Sequence, residues 1–228
     1  MDIRSLLKKI SGNKEKLSVD IPLSYLIAFC FEKMFDLFWG MVKFRSIKCV
    51  YAKRTVTLKG RIKVKFGQNF RLDRYVYVDA LSQSGIEVGD NVSIGMFTVV
   101  VCTGTLFGPL GQGLKVGNNV GLGSHGIWGC AGGVEVGDDT IMGNYVTVHS
   151  ENHNFSSLNK PIREQGVNHR GIKIGKGCWI GAKSTILDGT IIGDGCVVAA
   201  GSVVRGTIPP NSVIGGVPAK IIKYRTIY

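Results

Sequence analysis

The sequence predicts a mainly β fold, a parallel solenoid of short strands with an α-helical N-terminal appendage. Three observations carry that prediction. Branched aliphatic residues recur every six positions with glycine directly behind them, the chain holds 32 glycines against 6 prolines, and helical periodicity is confined to the first fifty residues. High glycine without a G-X-Y period excludes collagen and points to many tight turns. Hydrophobic residues are 44% and charged residues 19% of the 228, so the chain can bury a core.

The appendage comes first. Ile3, Leu6, Leu7 and Ile10 fall on one helical face, with Lys8 and Lys9 opposite. A second helix is expected over Ser24 to Phe44, after a cap at Asp20 and with Pro22 near its start. Its apolar stretch carries Glu32, Lys33 and Asp36, which argue against a membrane-spanning segment. Residues 1–80 hold 17 Lys/Arg against 7 Asp/Glu, and the remainder 11 against 9. The net charge of +12 therefore sits almost wholly in the N-terminal third. It suits an anionic membrane surface or a lipid-linked glycan; no nucleic-acid motif accompanies it.

The solenoid follows. From Val56 short β-branched alternation appears, as in Tyr75-Val76-Tyr77-Val78. The hexads then fall in phase at Val88-Gly89, Ile94-Gly95, Val116-Gly117, Leu122-Gly123, Val136-Gly137, Met142-Gly143, Ile174-Gly175, Ile180-Gly181 and Ile192-Gly193. Each hexad supplies one strand and one corner, and three hexads close a triangular coil whose aliphatic residues stack along the axis. The domain reading is a helical segment at 1–50, a solenoid at 51–222 with an inserted loop at about 150–171, and a tail at 223–228. The six cysteines show no CxxC and no metal-ligand spacing. No metal is expected, and the natural compartment is a reducing cytoplasm, with the basic segment able to hold the protein at the inner face of the membrane.

Two breaks interrupt the period. Cys102 to Leu114 is glycine-rich but lacks the Lys-Ser/Thr of a phosphate loop, so it reads as an excursion. Ser150 to Gly171 is the longest polar insertion and opens with Asn152-His153-Asn154-Phe155. After it come Trp179-Ile180-Gly181-Ala182, Gly201-Ser202-Val203-Val204 and Gly216-Val217-Pro218-Ala219-Lys220.

The hexads, over roughly residues 85–204, match the hexapeptide-repeat proteins, which form a left-handed parallel β-helix. The insertion with the Trp-Ile-Gly and Pro-Ala-Lys steps resembles the CoA-dependent O-acetyltransferases among them. Within these it is most similar to the saccharide-modifying branch, including maltose and galactoside acetyltransferases and enzymes of capsule and exopolysaccharide clusters. That resemblance implies acetyl transfer from acetyl-CoA to a saccharide hydroxyl in a ternary complex, and a homotrimer whose three sites are each shared by two subunits.

His153 matches the family's catalytic base, and an imidazole has the pKa for that task. His149 and Glu151 are candidates to orient it, or exposed bystanders. For the donor, the resemblance implies Trp179, Gly181, Ala182, Ala200 and Ser202 along the pantetheine, with Arg205, Lys220 and Lys223 at the phosphates. The oxyanion-steadying Asn of relatives is absent from the aligned Gly123-Ser124-His125-Gly126-Ile127-Trp128. His125 and Trp128, with Asn152, are expected to shape the acceptor pocket instead, and His169 to be a surface residue. Two rivals stay open: N-acyl transfer to a nucleotide-linked amino sugar, and a zinc hydratase of the γ-carbonic anhydrase kind built on His125, His149 and His153.

Overall fold

A residue that is aliphatic and inward in every strand makes its neighbours above and below aliphatic too, and the chain winds around the column they form. The computed structural model describes residues 21–106 and 108–226. Three parallel sheets of nine, seven and seven strands form the faces of a prism. Sheet 1 starts at Val50–Ala52, sheet 2 at Thr57–Lys59 and sheet 3 at Val64–Phe66. The chain visits them in that order on every coil, as a left-handed parallel β-helix.

Along sheet 2 the inward column reads Val78, Val100, Trp128, Val148, Ile186 and Val204, all buried. Along sheet 3 it includes Ile86, Leu114, Val134 and Ile172. Only the last coils keep the ideal repeat. Lys176 N–H reaches Asp194 eighteen residues on, whereas Asn118 N–H reaches Asp138 after 20, Asp90 reaches Asn118 after 28, and Thr147 meets Thr185 after 38. The extra residues leave at the corners. The solenoid therefore begins at Val50, two coils before the in-phase hexads that start near residue 85.

The three corners differ in chemistry. Between sheets 3 and 1, Asn69, Asn91, Asn119 and Asp139 adopt φ of 57–58° and form a side-chain ladder, each amide donating to the next oxygen at 2.8–2.9 Å. Asn tolerates the left-handed region better than most residues. Between sheets 1 and 2, Tyr75, Phe97, His125 and Tyr145 also take positive φ and stack at 4.8–5.1 Å. Between sheets 2 and 3 both breaks leave the prism, so loops gather on one edge.

One helix is described, α1 (Leu23–Phe44), starting behind Pro22 and ending at Arg45 in the left-handed conformation. The expected helix over Met1–Ile10 and the Asp20 cap lie outside the described residues. Helix α1 packs on strand Val50–Ala52, and Gly40 admits it: a Cβ there would collide with the Val50 carbonyl. Phe44 closes the mouth of the prism with Phe66 and Phe70, ring centroids 5.0 and 5.9 Å away. At the other end the strands Ser212–Gly216 and Ala219–Tyr224 form an antiparallel pair on sheet 1.

Candidate active site at the insertion corner

The insertion turns outward because its polar residues have no inward partner column. It folds back as a short antiparallel pair, Asn152–His153 against Val167–Asn168. Asn154 N–H donates to the Gly166 carbonyl, and the Asn154 amide donates to the Gln165 carbonyl at 3.0 Å. Gln165 gathers the tip, donating to the carbonyls of Ser157 and Lys160 at 2.8 Å and accepting from Ser157 N–H. His153 stands exposed on this hairpin.

The root of the hairpin is pinned by a residue that sequence reasoning missed. Asp188, on the coil above, accepts hydrogen bonds from the Asn152 side chain at 3.1 Å and from the backbone N–H groups of Arg170 and Gly171, both at 2.9 Å to its Oδ1. One carboxylate thus holds both ends of the insertion. The Asp188-Gly189 turn pair after Leu187 was the available signal.

His149 is exposed at the edge of sheet 2, in register with Gly129 and Leu187, and Glu151 is half-buried beside the hairpin. His169 is a surface residue. His125 sits on the opposite edge of sheet 2, its ring faces covered by Phe97 and Tyr145. Trp128 corrects the sequence reading. It is 2% exposed and points down the prism axis in register with Val100 and Val148, so it lines no acceptor pocket. Within one prism His125, His149 and His153 occupy one corner, the sheet between and the next corner. Among the described residues no group of His, Cys, Asp and Glu gathers as a metal-ligand set.

The residues expected to hold the donor lie mostly elsewhere. Trp179 projects from sheet 1, 55% exposed. Gly181 and Ala182 turn the next corner, with Ala200 and Ser202 one coil above. A Cβ on Gly181 would come within 2.5 Å of the Ala200 nitrogen, so glycine lets these corners close-pack. Ser202 is fully buried: its hydroxyl donates to the Ala199 carbonyl at 2.6 Å and its carbonyl accepts from the Thr185 N–H at 2.8 Å. Lys220 and Lys223 are exposed on the last strand and Arg205 on the insertion corner. None of the three meets a carboxylate among the described residues, and such cations fit phosphate oxygens.

In one prism, then, Gly181, Ala182 and Ala200 stand on one corner and His153, like Arg205, on the next, with sheet 2 between them. A groove of about 510 Å³ between α1 and sheet 1 ends at Ile141, the neighbour of Trp179. One of about 700 Å³ runs down sheet 3 from Arg170 and Gly171. Neither is lined by His153.

Three buried cysteines make poor nucleophiles. Burial pushes the Cys178 and Cys196 thiols up, and that of Cys130 well above its ordinary value. A buried thiol that stays protonated attacks a thioester poorly.

Residues 171–206 match the family model described as bacterial transferase hexapeptide (six repeats). The "Putative lipopolysaccharide biosynthesis O-acetyl transferase WbbJ" of Escherichia coli K12 is 35% identical over 167 residues, 70% of this chain and 71% of that protein. The galactoside O-acetyltransferase of the same organism is 36% identical over 91 residues, 40% of this chain and 43% of that protein. The curated relatives first matched are covered over 31% to 71% of their own length. Among solved structures, a mutant of AntD, an N-acyltransferase from Bacillus cereus, in complex with dTDP and coenzyme A, superposes with TM-score 0.58. It is 19% identical, with 81% of this chain and 89% of that one covered, a likeness of fold.

Proposed function

The chain belongs to the hexapeptide-repeat acetyltransferase family, and from that premise we propose that it transfers an acetyl group from acetyl-CoA to a hydroxyl of a saccharide, a surface-polysaccharide precursor. The observation that carries this reading is the exposed His153 on a hairpin tied to the prism at both roots by Asp188. His153 accepts the proton of the acceptor hydroxyl as its oxygen attacks the thioester carbonyl. The tetrahedral intermediate collapses, the C–S bond breaks, and the thiolate of CoA leaves and takes up a proton. No acyl-enzyme forms, in keeping with the buried thiols of Cys130 and Cys178, whose pKa burial raises. The likeness to an O-acetyl transferase at 35% identity favours a hydroxyl over an amine, because the likeness to AntD is one of fold alone.

Trp179, Ala182 and Ala200 line the pantetheine with Gly181 and Ser202 packed behind them, while Lys220 and Lys223 from the last strand and Arg205 from the insertion corner take the phosphates. Asn152 and the edge of His125 remain for the acceptor. The separation of His153 from that donor column supports a cyclic trimer, in which the insertion corner of one subunit meets the donor corner of the next. The reading places the reaction in the cytoplasm, whose reducing poise suits six unpaired cysteines.

The test is CoA release from acetyl-CoA with a panel of saccharides. Wild type should turn over at least one acceptor, His153→Ala should lose activity by about 10²–10⁴-fold with acetyl-CoA affinity retained, and Lys220→Ala/Lys223→Ala should weaken acetyl-CoA binding. Retained turnover in His153→Ala would overturn the assignment.

A further inference from the structure

Helix α1 has two apolar faces where a surface helix ordinarily has one. Leu26, Asp36, Gly40 and Phe44 are buried against the prism. On the other side Phe31, Met34, Phe35 and Phe38 are each more than half exposed, with Met41 and Val42 continuing the stripe. The spacing of 31, 34, 35, 38, 41 and 42 puts them on one unbroken strip of the helix. Exposed apolar patches of this continuity mark a surface that something covers.

The charge around the strip says what covers it. Residues 37–72 contain ten Lys/Arg and no Asp or Glu. The acidic groups of the helix are neutralised within the fold: Glu32 pairs with Lys53 and Arg74, and Asp36 with Lys33 and Lys53. Arg45, Lys48, Arg54, Arg61 and Lys63 meet no carboxylate among the described residues. Ile47, between Arg45 and Lys48, is 97% exposed, and Ile62, between Arg61 and Lys63, is 92% exposed. Two isoleucines thus stand out from the first coil, each flanked by cations.

We propose that this end of the molecule docks on an anionic lipid bilayer, with α1 lying in the interface rather than crossing it. The strip and the two isoleucines enter the acyl boundary, and the unpaired cations meet lipid phosphates. A dimer pairing this face with itself is opposed by charge, since like charges would meet. The bilayer is favoured over a different face of a neighbouring subunit because residues 81–228, with 11 Lys/Arg against 9 Asp/Glu, carry no acidic excess to match the ten cations of residues 37–72. Crossing is opposed by Glu32, Lys33 and Asp36, and among the described residues no helix is long and apolar enough to span. The docking is independent of which acceptor is acetylated, and it brings the enzyme to where a lipid-borne glycan would be found.

Flotation of the full chain tests it, using vesicles of phosphatidylcholine alone and of phosphatidylcholine with phosphatidylglycerol. Wild type should float with the anionic vesicles, and high salt should release it. Arg45→Gln and Lys48→Gln should each lower the partition by roughly fivefold. Phe31→Ser/Phe35→Ser/Phe38→Ser, at exposed positions, should abolish flotation at an unchanged unfolding temperature. Quenching of tryptophan fluorescence by brominated acyl chains in a Trp179→Phe variant, in which the other indole, Trp128, is buried, reads contact at Trp39. The docking is overturned if wild type does not float and Trp179→Phe is not quenched on anionic vesicles. It is equally overturned by a triple variant that floats like wild type, or by one that falls to a smaller oligomer in light scattering, which would make a second copy the occupant.

Discussion

Asp188 accepts a hydrogen bond from the side chain of Asn152, the residue directly before His153, while its other oxygen takes the backbone N–H groups that end the insertion. The carboxylate touches neither reacting group in the proposed chemistry; it acts by fixing where the hairpin carries its imidazole. Misplacing a catalytic group by about 1 Å can cost up to about 10²-fold. Asp188→Ala should therefore lower kcat by about 10- to 100-fold with acetyl-CoA affinity unchanged. Asp188→Asn, which keeps one acceptor oxygen, should lose less. In a His153→Ala background the Asp188→Ala change should add almost nothing, and a full additive loss would make Asp188 merely structural.

Trp128 is a core residue. Its indole fills the prism axis between Val100 and Val148, and removal leaves a cavity that parallel ladders on both sides keep from collapsing. Trp128→Ala should cost about 3–5 kcal/mol in denaturant unfolding. Trp128→Phe should cost less and leave the acceptor KM of the folded enzyme unaltered. A raised KM at full stability would return Trp128 to the acceptor pocket.

Where the sequence misled, one periodicity had been overruled by another signal. Val100, Trp128, Val148 and Ile186 occupy one inward column, so the period alone assigns Trp128 to the core. Its place in the acceptor pocket came from alignment with relatives. The reverse happened at Val50–Leu72, where corners lengthened to offsets of 20 and 22 residues put the first strands out of phase with the later hexads. Helix α1 and the in-phase coils were legible because period and turn chemistry agree there. Asp188 was not, because the Asp188-Gly189 pair reads only as a turn, and the partners its carboxylate holds, Arg170 and Gly171 one coil back and Asn152 36 residues back, are brought together by the excursion of the insertion.

The buried thiols make stability depend on alkaline pH. Desolvation raises the pKa of Cys130, Cys178 and Cys196 in the folded chain, so unfolding releases thiols that ionise at ordinary values of about 8.5. Below that pH both states keep the proton and the stability is full. As pH rises past it, the unfolded state loses protons first and stability falls. The unfolding temperature should drop between neutral pH and about pH 10, and Cys178→Ala/Cys196→Ala should flatten the drop. An unchanged slope in that variant would mean that other groups carry it.

Asn119 separates two contributions at the corner between sheets 3 and 1. It adopts φ of 57°, accepts from the Asn91 amide at 2.9 Å and donates to Asp139 at 2.8 Å. Asn119→Gly removes both side-chain bonds but keeps a residue at ease in the left-handed region, and exchanged hydrogen bonds are worth about 0.5–1.5 kcal/mol each. Asn119→Ala removes the same bonds and adds the left-handed strain of a Cβ, about 1–2 kcal/mol. Alanine should thus destabilise the prism by about 1 kcal/mol more than glycine in denaturant unfolding. Equal losses would assign the whole effect to the ladder. A glycine variant as stable as wild type would instead show that the exposed amides exchange their partners for water without cost, leaving backbone conformation as the reason for asparagine there.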